Sequence, residues 1–190
     1  MVLILFGGFF LALVGAVVML WMVSTWNRFV NLELNVDNEW ARFESDVKLK
    51  YDMLPDLHET VKGYAKHEKD IFDQLSIARQ GASGALLAKD LEKFNRFEGQ
   101  LARLTPQFSA ITENYPNLKA DALFIDFTQR LVTLEERLAY SRENYNATAT
   151  IFNKSISMLP DTIVASIKGV RMRELIDVPD FYHQDYVVKF

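Results

Sequence analysis

Hydrophobic positions along the chain form one unbroken block followed by three periodic stripes. The block runs from Val2 to Val23 without a charged side chain, and the first charge on any side chain is Arg28. As a helix rising 1.5 Å per residue, this run spans about 33 Å, enough for a hydrocarbon core of about 30 Å. Its faces are apolar all round, and Trp21 and Trp26 stand at its end, where amphipathic rings favour the headgroup level. A cleaved signal peptide would carry a basic start, a shorter apolar run and a small-x-small cleavage site. Here the chain opens directly on apolar residues and the run is too long, so a retained transmembrane anchor is expected.

Phe29, Leu32, Val36, Trp40, Phe43, Val47, Leu54, Leu57, Val61, Tyr64, Ile71 and Leu75 make the first stripe, with Lys50 and Glu68 in its gaps. Steps of three and four predict one long helix continuous with the anchor, kinked or reopened at Pro55. Gly81-Ala82-Ser83-Gly84 predicts a reversal, because two close glycines are costly in a helix. A second stripe follows at Leu87, Leu91, Phe94, Leu101, Leu104, Phe108 and Ile111, and Tyr115-Pro116-Asn117 predicts the next turn. Phe124, Leu131, Leu134, Leu138, Tyr145, Phe152 and Ile156 keep heptad-like spacing in the third, with Ser141 and Ala149 at intermediate steps. Leu159-Pro160-Asp161 ends it, and Thr162 to Met172 predicts one short further helix.

The expected fold is all-α: an N-terminal transmembrane helix, then an elongated antiparallel bundle of three long helices with a short fourth. The corresponding domains are an anchor over 1–27, a bundle over 28–172 and a tail over 173–190 with no assigned structure. Period-two strand signals are missing before that tail.

Composition narrows the function. All 21 basic and 25 acidic residues lie beyond the anchor, and no segment gathers Lys and Arg with interleaved aromatics, so nucleic acid is not an expected partner. Cysteine is absent, which removes disulfides, thiolate metal sites and a Cys nucleophile together. The basic flank after the anchor (Arg28, Arg42, Lys48, Lys50) favours a short N-terminus outside the cell membrane and a cytoplasmic bundle. Gly8, Ala12 and Ala16, four apart, would let two transmembrane helices approach closely.

Tests for chemistry mostly fail. His58-Glu59 begins like a zinc-protease motif, but Lys62 stands where the second His belongs. His67-Glu68 lies nine residues on, and zinc needs three or four convergent ligands. No metal, cofactor or catalytic residue is therefore expected. Asn146-Ala147-Thr148 and Asn153-Lys154-Ser155 match glycosylation sequons inside a predicted helix, where chance matches are frequent. Glu135, Arg142, Asn146 and Asn153 share one face of the third helix. They fit either ordinary surface polarity or a polar layer that sets helix register and meets Asp52 or Lys62 of the first helix.

Four motifs in order carry a family resemblance. Trp26-Asn27-Arg28-Phe29-Val30 looks like a juxtamembrane Tyr-Asn-x-Leu-Val. Asp52-Met53-Leu54-Pro55-Asp56-Leu57, followed by Val61-Lys62-Gly63-Tyr64-Ala65-Lys66-His67-Glu68, resembles a first-helix signature. Tyr115-Pro116-Asn117-Leu118-Lys119-Ala120 resembles a Tyr-Pro-x-Leu-Lys-Ala turn. Glu135 and the run Leu138-Ala139-Tyr140-Ser141-Arg142-Glu143-Asn144-Tyr145-Asn146 through Phe152-Asn153, Ile156 and Leu159-Pro160 resemble a C-terminal signature. All four belong to the LemA family, with Tyr51 in place of a usual Arg, Asp56 of Asn and Trp26 of Tyr. The resemblance implies a membrane-anchored prokaryotic helical bundle without an established enzymatic activity, associated with membrane stress and proteolysis, with a relative among magnetosome proteins.

Two functions follow as expectations. The first is a non-enzymatic scaffold or adaptor in the bilayer that forms a homo-oligomer or binds another membrane protein, in membrane stress or envelope organisation. The alternative is a metal-binding or enzymatic bundle using His58, His67, Glu68 or the polar layer.

Overall fold

The structure, a computed structural model, describes residues 2–64 and 69–177. Its regular elements are all helical: α1 (Val2–Lys62), α2 (Lys69–Leu87), α3 (Leu91–Asn114), α4 (Pro116–Lys119), α5 (Ala122–Ser157) and α6 (Asp161–Lys168). The chain divides into two compact units, Met1–Trp40 with Tyr145–Leu175, and Ala41–Asn144 with the chain from Ile176 onward. Helices α1 and α5 contribute residues to both.

In the first unit the uncharged half of α1 is exposed from Leu5 to Leu20. Burial begins at Thr25 and continues through Phe29, Val36 and Trp40. The facing positions are Tyr145, Ala149, Phe152 and Ile156 on α5, spaced four, three and four, and Val164 and Ala165 on α6. Phe29 and Phe152 are fully enclosed, each such side chain contributing roughly 1.5–3 kcal/mol. Trp40 meets Tyr145 edge to face with ring centroids 5.4 Å apart. Arg28 pairs with Asp161, which fixes the start of α6 against α1. Gly169 closes α6 at φ 73°, a left-handed position open to glycine, and its N–H donates to the Ala165 carbonyl at 3.0 Å.

In the second unit Phe43, Val47, Tyr51, Leu54, Leu57 and Val61 of α1 form the buried stripe. Phe127, Leu134 and Leu138 of α5 are also buried here. Helices α2 and α3 pack on each other as a hairpin.

Two sequence expectations need correction in this unit. The first stripe was expected to run unbroken to Leu75, but α1 ends at Lys62 and Gly63-Tyr64 form a turn. Glycine lowers helix stability by about 1 kcal/mol, and here it marks the stop. The reversal expected at Gly81–Gly84 does not occur, and that stretch lies inside α2. The chain turns instead at Ala88–Asp90. Lys89 takes the left-handed conformation (φ 53°), the Asp90 N–H donates to the Ala85 carbonyl at 2.9 Å, and the Asp90 carboxylate caps α3 by accepting from the Lys93 N–H at 3.0 Å.

Pro55 sits within α1 without ending it. It has no N–H to give the Tyr51 carbonyl, and the Arg79 guanidinium of α2 donates to that oxygen at 3.1 Å instead. At the other end of the hairpin, Tyr115 stands outside the helical region (φ −122°, ψ 79°), as a residue before proline should. The expected turn after it is the single-turn helix α4, held by fully buried Leu118.

Candidate functional site: two polar clusters

The first cluster grows from Lys50, a charge in the middle of an apolar stripe. Its Nζ lies 2.9 Å from Glu98 Oε2 of α3 and 2.9 Å from Glu135 Oε1 of α5. The neighbouring Tyr51 hydroxyl donates to the other Glu98 oxygen at 2.5 Å. One turn back on α1, buried Asp46 pairs with Arg137 of α5 at 2.6 Å. The two α1–α5 pairs have reversed polarity, so sliding α5 by a turn would bring like charges together. Buried charges in such an arrangement are a known means of specifying helix register.

The chemistry of Lys50 follows from its surroundings. Burial favours the neutral amine, but the charges of Glu98 and Glu135 and their hydrogen bonds outweigh it, and the pKa rises above the usual lysine range. Burial and then the Glu98 charge likewise push the Tyr51 phenol far up. An ammonium held charged and a phenol held neutral are poor nucleophiles and poor bases at neutral pH, so both act as fixed donors. A cavity of ≈ 170 Å³ adjoins them, lined among others by Asn95, Arg142 and Ile176.

The second cluster belongs to the first unit and holds the chain after α6. Asn153 pairs with one residue's main chain in both directions: its Nδ2 donates to the Arg173 carbonyl at 2.8 Å, and its Oδ1 accepts from the Arg173 N–H at 2.8 Å. The Tyr145 hydroxyl donates to the Glu174 carbonyl at 2.8 Å. Burial holds the Tyr145 phenol above its ordinary pKa, so it remains a donor. On α1, Glu33 receives Lys168 at 2.6 Å and Arg173 at 3.3 Å, and Asp37 lies 3.3 Å from the same Arg173 guanidinium. Residues 170–175 are thus a strap fastened to α5 through its backbone and to α1 through the Arg173 side chain.

The residues singled out from sequence are distributed as follows. Gly8, Ala12 and Ala16 lie on the exposed part of α1, and a Cβ at Gly8 would meet nothing within 4 Å. Asp52 is exposed, and Lys62 is exposed and faces Glu59 at 3.7 Å, so Lys50 is the residue that meets Glu135. Glu135 and Arg142 lie in the second unit, half-buried Asn146 and Asn153 in the first, and the two groups meet different partners. Tyr115 and Pro116 form the start of α4. His58 packs edge to face on Phe72 at 4.6 Å, while His67 and Glu68 lie outside the described residues. Among the described residues no three His, Cys, Asp or Glu side chains converge as a metal would need.

Sequence reasoning missed Glu98, Arg79, Glu33 and Arg173. Only Lys50 and Pro55 left a signal: a charge in a core stripe needs buried partners, and a proline inside a helix leaves a carbonyl to be claimed.

Comparison with known proteins follows the same stretch of chain. The LemA family's sequence pattern matches residues 39–190. Magnetosome protein MamQ 1 of Paramagnetospirillum magneticum is 22% identical over 176 residues, which cover 80% of this chain and 65% of that protein. Magnetosome protein MamQ of Magnetospirillum gryphiswaldense is 25% identical over 180 residues, with coverage of 80% and 65%. Protein LemA of Metamycoplasma hominis is 23% identical over 132 residues, covering 68% of this chain and 58% of that protein. The chain thus spans just under two thirds of the length of the curated magnetosome relatives it matches.

Proposed function

The chain belongs to the LemA family, and from that premise we propose that it is a non-enzymatic, membrane-anchored scaffold. It self-associates or binds other membrane proteins, and serves membrane stress or envelope organisation. The observation that carries this is α1 itself. A window of this helix with mean hydropathy 2.3, unburied by the rest of the chain, belongs to the same uninterrupted helix as the buried stripe from Phe29 to Val61. A helix apolar on every face and uncovered by protein is matched to lipid. The bundle is displayed at the membrane, where confinement raises its effective concentration toward partners. The basic flank after the anchor (Arg28, Arg42, Lys48, Lys50) supports a cytoplasmic bundle, with Arg28 and Arg42 nearest the membrane.

A non-enzymatic reading is supported by the site chemistry, in which the Glu98 and Glu135 charges favour the Lys50 ammonium and burial favours the neutral Tyr51 phenol, and by the names of the magnetosome and LemA relatives. Alkaline carbonate extraction and crosslinking in intact membranes test the proposal together. The chain should stay with the membrane pellet and join to copies of itself or to another membrane protein. Release into the wash would overturn the anchor, and light scattering showing a clean monomer in detergent, with no crosslinked product, would overturn the scaffold.

A further inference from the structure

The corner between α5 and α6 is apolar and uncovered. Leu159 is 78% exposed, Ile163 53% and Met158 52%. Such residues are costly to leave in water, and their position along α1 says what covers them. Arg28 pairs with Asp161, so α6 starts level with Arg28. Counting from the other end agrees. Tyr145 stacks against Trp40, and α5 then descends twelve residues to Ser157, about 18 Å and the same length as α1 from Trp40 back to Arg28.

Arg28 lies five residues past Val23, the end of the apolar block, or about 7.5 Å along the helix. That is about the thickness of the headgroup layer on one side of a bilayer. The Met158–Leu159 turn therefore reaches the lipid interface beside the anchor. From there α6 climbs away, because Lys168 at its far end pairs with Glu33. Its exposed residues leave the interface in order: Leu159 first, then Ile163, then Ile167.

We propose that the α5–α6 corner is a second membrane-contact site, with Met158 and Leu159 seated in the headgroup layer and Ile163 at its outer edge. The occupant is lipid, argued from continuity with the anchor, and the inference rests on the anchor reading above. Inserting an apolar corner beside the anchor would add buried area at the interface, as amphipathic membrane-surface elements do. It would also hold the bundle at a fixed tilt instead of leaving it to swing from a single helix.

The chain has no cysteine, so single-cysteine variants report cleanly. Val14→Cys, Leu159→Cys, Ile163→Cys, Ile167→Cys and Ala147→Cys in the full chain are labelled with an environment-sensitive fluorophore. They are then reconstituted in phosphatidylcholine–phosphatidylglycerol vesicles containing bromolipids brominated at shallow or deep chain positions. Val14 should be quenched by the deep lipid, and Leu159 should show blue-shifted emission quenched by the shallow one. Quenching should weaken through Ile163 to Ile167 and be absent at Ala147. Quenching at Val14 without quenching or blue shift at Leu159 overturns this inference and leaves the anchor standing. No quenching at Val14 overturns the anchor itself. Equal quenching at Leu159 and Ala147 would mean that the whole unit lies on the membrane, and it too overturns the corner.

Discussion

Gly81 and Gly84 are three residues apart on α2 and answer to opposite forces. A Cβ built on Gly81 would fall 2.4 Å from the ring of Phe97 on α3, whereas one on Gly84 would meet nothing within 4 Å. Gly81→Ala should therefore destabilise by about 1–3 kcal/mol through overpacking, and Gly84→Ala should stabilise by up to about 1 kcal/mol by restoring helix propensity. Urea melts of the detergent-solubilised variants check both; equal effects would refute the packing argument. The glycine pair looked like a turn because the alternative use of glycine, close approach by a ring from another helix, leaves no local mark. The real turn uses Lys89, a residue type that rarely takes the left-handed conformation, so its sequence was silent.

Pro55 offers a second test at this scale. Arg79→Met should cost about 1.5–3 kcal/mol while the Tyr51 carbonyl depends on it. In a Pro55→Ala background the helix can satisfy that carbonyl itself, and the cost of Arg79→Met should fall. A thermodynamic cycle with no coupling would show that Arg79 acts elsewhere.

Between α1 and α5, two ion pairs stand among the apolar contacts. The Lys50–Glu135 and Asp46–Arg137 pairs run in opposite polarity, so an offset of one turn would oppose like charges. Lys50→Met should destabilise by about 3–5 kcal/mol, since Glu98 and Glu135 are left facing each other. Adding Glu98→Gln and Glu135→Gln should recover much of that, as calorimetry can measure. The strap after α6 makes a parallel prediction: Asn153→Ala should expose the backbone around Arg171 and Arg173, and limited trypsin digestion should cut there sooner than in the parent chain. Helix identity was legible here because periodicity is a local signal. Lys50 could be seen as a misfit in its stripe, but Glu98 could not be named as its partner while the hairpin that delivers it was drawn with the wrong turn. The strap was illegible altogether, because Asn153 reads main chain and main chain carries no sequence signature.

For the molecule as a whole, acid is the revealing perturbation. The Asp121 carboxyl is held below its ordinary range by the Tyr64 hydroxyl and by backbone N–H groups at the start of α5, and Asp90 by Lys93 and the start of α3. A group whose pKa is lowered on folding gives stability that is present above its unfolded value, about 4, and is lost as pH falls through the folded value. Melting temperature should hold from neutral pH down to about 5 and then drop, and Tyr64→Phe should make the drop shallower. Lys50 has the opposite sign: its contribution is full below the ordinary lysine range and fades only at strongly alkaline pH. The long apolar N-terminal helix and the all-helical class were plain from sequence, since both depend on composition over long windows. The division into two units was not, because the stripes of α1 and α5 pass through it without changing period.

Helix α1 has no joint between Leu5 and Phe29. The azimuth of the exposed apolar half is therefore geared to the carboxylates of Glu33 and Asp37 that receive Arg173. One residue added after Ser24 would twist the face bearing Gly8, Ala12 and Ala16 through about 100° without altering any core position. Anything that reads that face would then meet a differently turned bundle, so the chain is a keyed shaft rather than a tethered bead.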